Sequence, residues 1–249
     1  MSTRAHFDTV GDLPPEVTAA LLQFGLALAD TKQMIGRRFS EWVTAAPTME
    51  AAVAAAAITQ DELGHARSLF AMLRDFPGAP PELQGEGEFQ RQDNFAPGQL
   101  HAPLPSWFDC IALLFLLDRA LTAVFKLAKQ SSFTPLRQRV AKILQEEHFH
   151  EMYSRGWLKH IQKQGEASLS RLQESITAFW PAAVYWFGPE EDESTTALIH
   201  AGILAADIQR AYQEWFDKTQ SLLQQNGLRV PDFSPAWQTW DPRRREAAV

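Results

Sequence analysis

Apolar residues recur along this chain at steps of three and four, and no segment sustains strand-like alternation. That period predicts helices throughout. The first is expected over about residues 15 to 45, opened by Pro14 and Pro15 and closed by Pro47. Thr48 is placed to cap a second, which runs to about Phe76 before Pro77-Gly78. Residues 77 to 105 hold six prolines and read as a long loop, suited to cross over between two antiparallel helix pairs. Ser106 caps a third helix, to about Lys129. Thr134 caps a fourth, with Pro135 in its first turn, which runs past Trp157. A fifth helix is expected over about 168 to 180. A sixth covers about 195 to 225 and stops at Asn226-Gly227. The tail from Val230 reads as a strap over the body, with Arg243-Arg244-Arg245 at a solvated end.

Polar residues interrupt these apolar stripes at a few points. The second helix buries Ile58, Glu62, His65, Leu69 and Met72, and the fourth buries Val140, Ile143, Glu147, His150 and Ser154. Each stripe thus carries a Glu and a His at i and i+3, on one helix face, where both can reach one ion. An acid stands four residues before each His, Asp61 and Glu146, placed to accept the second N–H of the His on its own helix. An acid-Glu-x-x-His run arises by chance at roughly 1% per His, so two among seven His carry a signal. Two such helices facing each other build the metal cage of a ferritin-like bundle. The expected fold is therefore all-α: one domain over 1–249, a ferritin-like four-helix bundle at about 15–163, two additional C-terminal helices at about 166–226, and a tail.

A carboxylate buried alone would cost several kcal/mol, so Glu62 and Glu147 must be paired, protonated or metal-bound. Asp118 poses the same problem inside the stripe Ile111, Leu114, Asp118, Leu121, Phe125 of the third helix. On the first helix the stripe Gly25, Leu28, Lys32, Ile35, Phe39 places a cation, Lys32, at the inward polar position. Three carboxylates are balanced by one divalent ion plus the Lys32 ammonium, whereas two divalent ions would overbalance them. Iron is the first expectation for such oxygen and imidazole donors, as one ion rather than two, with manganese or no metal as alternatives. In the metal-free alternative Asp118 pairs with Lys32. Lys32 could also run its stem along the helix and put its ammonium in solvent.

Composition sets outer bounds. A net charge of −7 and a pI near 5.5 argue against a nucleic-acid partner. Cys110 is the single cysteine, which rules out an internal disulfide and a cysteine-built zinc site. The longest apolar run, Cys110 to Leu117, is too short to cross a bilayer, and residues 1–6 lead into no signal-peptide core. The expectation is a soluble cytoplasmic protein without membrane attachment.

Several runs carry a family resemblance. Phe39-Ser40-Glu41-Trp42, Ala46-Pro47 and Gln60-Asp61-Glu62-Leu63-Gly64-His65-Ala66-Arg67 resemble the phenylacetic acid catabolic proteins, as do Glu146-Glu147-His148-Phe149-His150 and Ser154-Arg155-Gly156-Trp157-Leu158. The resemblance covers residues 20 to about 160 well and the last third loosely. It implies the ferritin-like subunits of a bacterial phenylacetyl-CoA ring epoxidase: a catalytic one with a di-iron centre that activates O₂, and a structural one that has lost ligands. On that pattern Glu62, His65, Asp118, Glu147 and His150 match ligand positions, while Lys32 stands where the first-helix ligand is a Glu. The resemblance further implies a separate reductase, a CoA-linked aromatic substrate, and a homodimer or a heteromer with a homologous ferritin-like subunit. Two functional readings stay open: a non-haem iron monooxygenase subunit with a modified site, and an inactive structural subunit in which Lys32 replaces metal charge. A storage or electron-transfer bundle is a third.

Overall fold

The computed structural model describes residues 6–85, 91, 93–205 and 208–248. Helix α1 spans Pro15–Ser40 and α2 spans Met49–Leu73, where the Thr48 hydroxyl accepts the Ala51 N–H at 3.1 Å as the expected cap. The crossover then carries two short 3₁₀ turns, Pro81–Gln84 and Gly98–His101. Residues 86–90 and 92 of that loop lie outside the described residues. The third rod is composite: α3 (Trp107–Leu113), a π-helical turn (Leu114–Asp118) and α4 (Arg119–Leu127). Helix α5 spans Thr134–Lys163. The first helix packs on the second, α2 on α5, and α5 on the composite rod, so two antiparallel pairs are joined by the long crossover, the ferritin-like arrangement.

The π turn was not visible in the periodicity. A π turn holds one residue more per turn than an α-helix and disturbs the regular i→i−4 bonding around it. Side chains serve its carbonyls: Trp215 Nε1 donates to Leu116 O at 3.3 Å, Arg119 Nη1 to Phe115 O at 3.3 Å and Thr122 Oγ1 to Asp118 O at 3.0 Å. All five residues of the turn are buried, and Asp118 closes it.

Thr134 is not the cap of α5 but its first residue. The Thr134 N–H donates to Phe7 O at 2.9 Å and its hydroxyl to Asp8 at 2.8 Å, so the N-terminal segment is tied to this helix start.

Beyond the bundle, α6 (Glu166–Tyr185) covers α3 and the π turn, and α8 (Ile208–Gln225) covers α4. The single helix expected over 195–225 is divided, with α7 (Glu193–His200) as its first part. Gly202 causes the stop. At φ 71° it takes the left-handed conformation, its N–H bonds Ile199 O, and the Ile203 N–H reaches back to Leu198 O. That is a Schellman ending, and Gly227 repeats it after α8 at the expected Asn226-Gly227 stop. Ser132 takes the two carbonyls just past α7, Ala201 O and Gly202 O.

The tail is a strap, and at its arginine end Arg243 and Arg244 are solvated as expected while Arg245 is not. A two-stranded ladder pairs β1 (Trp240–Asp241) with β2 (Glu246–Ala247). Beside it Arg245 is 2% exposed. Its guanidinium donates to Trp186 O and Phe187 O and stacks against Phe24, Trp186 and Trp240. Glu246 accepts the Gly98 N–H at 2.6 Å, which fastens the crossover loop. No helix is long and apolar enough to cross a membrane among the described residues.

Candidate metal centre

The four bundle helices converge on a polar cluster walled off from solvent. Lys32 from α1, Glu62 and His65 from α2, Asp118 from the π turn, and Glu147 and His150 from α5 are each at most 2% exposed. The Lys32 side chain points inward and does not reach solvent. Its Nζ donates to Glu62 Oε1 at 3.0 Å, to Glu147 Oε1 at 2.5 Å, and to Asp118 Oδ1. An ammonium has three donors, and all three are used here on carboxylates from three different helical elements. Phe125 lies 5.9 Å from Nζ and closes the apolar side.

The two histidines face this centre through Nδ1. His150 Nδ1 lies 3.2 Å from Glu62 Oε1 and 3.4 Å from Asp118 Oδ2, and His65 Nδ1 lies 3.4 Å from Glu147 Oε1. These are ion-pair distances whose angles fall outside hydrogen bonding, so both Nδ1 atoms are buried without a hydrogen-bond partner. The outer nitrogens are firmly held, but by the opposite helix. His65 Nε2 meets Glu146 at 2.7 Å, and His150 Nε2 meets Asp61 at 3.3 Å. The sequence spacing put Asp61 on His65 and Glu146 on His150, and the structure crosses the pairs. Antiparallel helices explain it. Residue 61 comes level with 150 just where 65 comes level with 146, and each Nε2 points across the seam rather than back along its own helix. A double-mutant cycle is expected to give about 0.5–1 kcal/mol of coupling for Asp61 with His150 and for Glu146 with His65, and none for Asp61 with His65. The low figure reflects exposures of 33% for Asp61 and 28% for Glu146. Equal coupling within each helix would contradict the crossed arrangement.

Sequence reading missed Thr122. Its hydroxyl lies 2.6 Å from Glu147 Oε2, the oxygen that Lys32 leaves free. The signal was available: Thr122 stands four residues after Asp118, on the same helix face. Asp30, two residues before Lys32, was also missed. It accepts from Arg91 at 2.5 Å and from the Phe95 N–H at 2.8 Å, and so holds the crossover loop against α1.

Electrostatics follow from burial and from this crowding. Burial pulls the Lys32 ammonium down, but Asp118, Glu147 and Glu62 outweigh it and hold it well above its ordinary value. Burial likewise opposes charge on His65 and His150. Glu147 and Glu62 raise the first, and Asp118, Asp61 and Glu62 raise the second, far more strongly. Burial pushes Asp118 up to about 6, with repulsion from Glu147 adding and Lys32 opposing. Glu147 overcomes its burial through Lys32 and His65 and sits well below the usual carboxylate range. With both imidazoles protonated, three inner cations face three inner carboxylates, and the cluster balances without a further ion.

These directions fix a pH dependence. Lys32, His65 and His150 have raised folded values, so their stabilisation is complete below the unfolded values, 6.5 for the imidazoles, and fades as pH climbs through the folded ones. Ionising Asp118 and Asp30, raised from 3.8 to about 6 and about 7, costs stability earlier, as pH rises from 3.8 through those folded values. Glu147 works oppositely: its stabilisation is present above 4.5 and is lost as pH falls through its lowered value. The thermal midpoint is expected to be higher near about pH 5.5 than near about pH 8. A calorimetric scan at the two pH values that shows the reverse order would contradict the charge assignment.

Ligand atoms of Glu62, Asp118, Glu147 and His150 all lie within 4.8 Å of one another, a donor set that suits a hard divalent ion, and His65 stands outside that set. Glu62 Oε2 and Asp118 Oδ2 are buried without a hydrogen-bond partner. Yet Lys32 Nζ occupies the point on which the three carboxylates converge. An ion placed there would meet an ammonium at ligand distance. The residues therefore do not fit a two-ion centre with Lys32 in place.

Four antiparallel helices around a buried carboxylate–histidine cluster define a ferritin-like bundle of the carboxylate-protein class. The chain belongs to the phenylacetic acid catabolic protein family, whose model matches residues 7–245. It is 28% identical to the C subunit of the 1,2-phenylacetyl-CoA epoxidase of Escherichia coli K12 over 85% of this chain and 84% of that one. It is 27% identical to the A subunit of the same epoxidase over 77% of this chain and 62% of that one.

Proposed function

We propose that this chain is a non-catalytic subunit of a phenylacetyl-CoA epoxidase-type oxygenase, a helical scaffold in which Lys32 replaces metal charge. One observation carries the reading: Lys32 Nζ donates to Glu62, Asp118 and Glu147 together, at zero exposure. The raised imidazoles complete the charge balance that iron would otherwise supply. Iron, O₂ activation, the CoA-linked aromatic substrate and the electrons from a reductase then belong to a homologous ferritin-like subunit that pairs with this one. Both relatives are named as subunits of one epoxidase, which supports such an assembly.

A second reading, a modified iron site with one ion, is favoured by three atoms. Glu62 Oε2, Asp118 Oδ2 and His150 Nδ1 are buried and lack hydrogen-bond partners, as a ligand set would. Elemental analysis separates the two. Protein made with iron and manganese in the medium is expected to carry far less than one ion per chain. One ion per chain, lost in the Glu147→Ala, His150→Ala variant, would overturn the scaffold reading.

A further inference from the structure

The third rod cannot choose its own winding. Residues 110–117 are apolar throughout and each is 0% exposed, so no face of that stretch is marked as inward. Its winding nevertheless decides where Asp118 points. A π turn takes one residue more than an α turn, and one residue is about 100° around a helix. Upstream the rod is anchored, because Trp107 packs against Phe39, Trp42 and Trp157. Rewinding Leu114–Asp118 as α-helix would therefore swing Asp118, and Thr122 after it, away from Lys32 and Glu147. The π form has to be selected from outside the rod.

We propose that Trp215 and Thr219 of α8 are positioning residues for the buried cluster: by holding the carbonyls of the π turn they aim Asp118 at Lys32. They stand four residues apart on one face of α8, and both are buried. Trp215 Nε1 donates to Leu116 O at 3.3 Å. Thr219 acts through Arg119. Its hydroxyl accepts from Arg119 Nη1 at 3.1 Å, and the same Nη1 donates to Phe115 O at 3.3 Å. The guanidinium lies 4.8 Å from the centroid of the Phe115 ring, and its Nε faces Glu151 of α5 at 3.9 Å. Two consecutive carbonyls of the turn are thus engaged from α8, one directly and one through a guanidinium. A buried carbonyl that loses its partner costs free energy, and α winding is the way to recover it. The indole is aimed by its own packing, with Trp180 of α6 and Phe187 at ring distances of 5.4 and 5.5 Å. The inference rests on the geometry of the cluster and not on the scaffold reading, so it stands or falls separately from any metal content.

Lys32 itself reports the result. Of the seven lysines it alone is buried, so it alone can give a slowly exchanging ammonium signal in proton–nitrogen NMR of protein labelled with heavy nitrogen at lysine. The full chain, treated with chelator, is expected to show one such signal. The Trp215→Phe, Thr219→Val variant keeps a ring and the side-chain shape but removes the indole N–H and the hydroxyl. Its ammonium signal is expected to shift or to vanish into exchange with water, because Asp118 has left the ammonium. Leu223→Ala, which opens a cavity further along the same helix, controls for lost packing alone. It is expected to lower the thermal midpoint and leave the signal in place. If the double variant does not fold, Thr219→Val alone decides, with a smaller shift of the same signal. An unchanged signal in a folded α8 variant overturns the proposal. So does an equal change in Leu223→Ala, or a wild type without the signal.

Discussion

Replacing Lys32 with methionine is expected to destabilise the protein by about 3–5 kcal/mol and to lower its thermal midpoint by about 10 °C. Methionine matches the lysine stem in size, so the packing around Ile35 and Phe125 changes little. The loss is electrostatic. Glu62, Asp118 and Glu147 converge on one Nζ, and with the ammonium gone only the two imidazoles remain to face three carboxylates, neither of them at that point. Breaking a buried ion cluster from one side leaves charge without compensation, which is the costly way to break it. Domains of this kind are stable by about 5–15 kcal/mol, so the change removes a large fraction of the total. Urea unfolding at about pH 7 measures it. A loss below about 1 kcal/mol would mean that the carboxylates take up protons or water freely, and that the cluster is not dry.

Replacing Lys32 with glutamate is expected to do something different in kind. It adds a fourth carboxylate where the cation stood, beside Glu62, Asp118, Glu147 and the two histidines. In a chelator-treated sample this variant should be less stable than the methionine one, because like charges crowd in a buried site. Its stability should then depend on metal. An ion that binds the folded form alone raises stability by about 2.7 kcal/mol at a hundredfold excess over its dissociation constant. The measurement is the thermal midpoint of wild type and variant with ferrous or manganous ion and with chelator. The wild type should be indifferent and the variant should rise by several degrees. Equal indifference in both would show that the remaining donors cannot close around an ion even when the ammonium is gone.

The bundle was legible because its helices are long and periodic. Glu62, His65, Glu147 and His150 could be placed inside because they fall on apolar stripes, and Lys32 for the same reason. Spacing along one helix could not show which acid holds which histidine. That depends on the register between α2 and α5, and register is set by packing rather than by either sequence alone. The π turn was hidden for a related reason: residues 110–117 are apolar on all sides, so no stripe records where the winding changes. Arg245 was misplaced because three consecutive arginines read as a solvated end. Local composition cannot reveal that Trp186 O and Phe187 O, almost sixty residues earlier, wait for its guanidinium. The stop at Gly202 was readable in principle, since the glycine is there, but the continuous helical spacing on either side masked it.

The latch made by Arg245 has a consequence for the order of events as the chain is made. Its partners, Phe24, Trp186 and Phe187, and the Gly98 N–H held by Glu246, belong to segments synthesised long before it. The helices can meet as they emerge, and Asp30 can already hold the crossover on the first helix, but the contacts of Arg245 and Glu246 across this seam wait until the mid-240s have been made. The last of these contacts to become available is therefore a clasp that closes over segments already made.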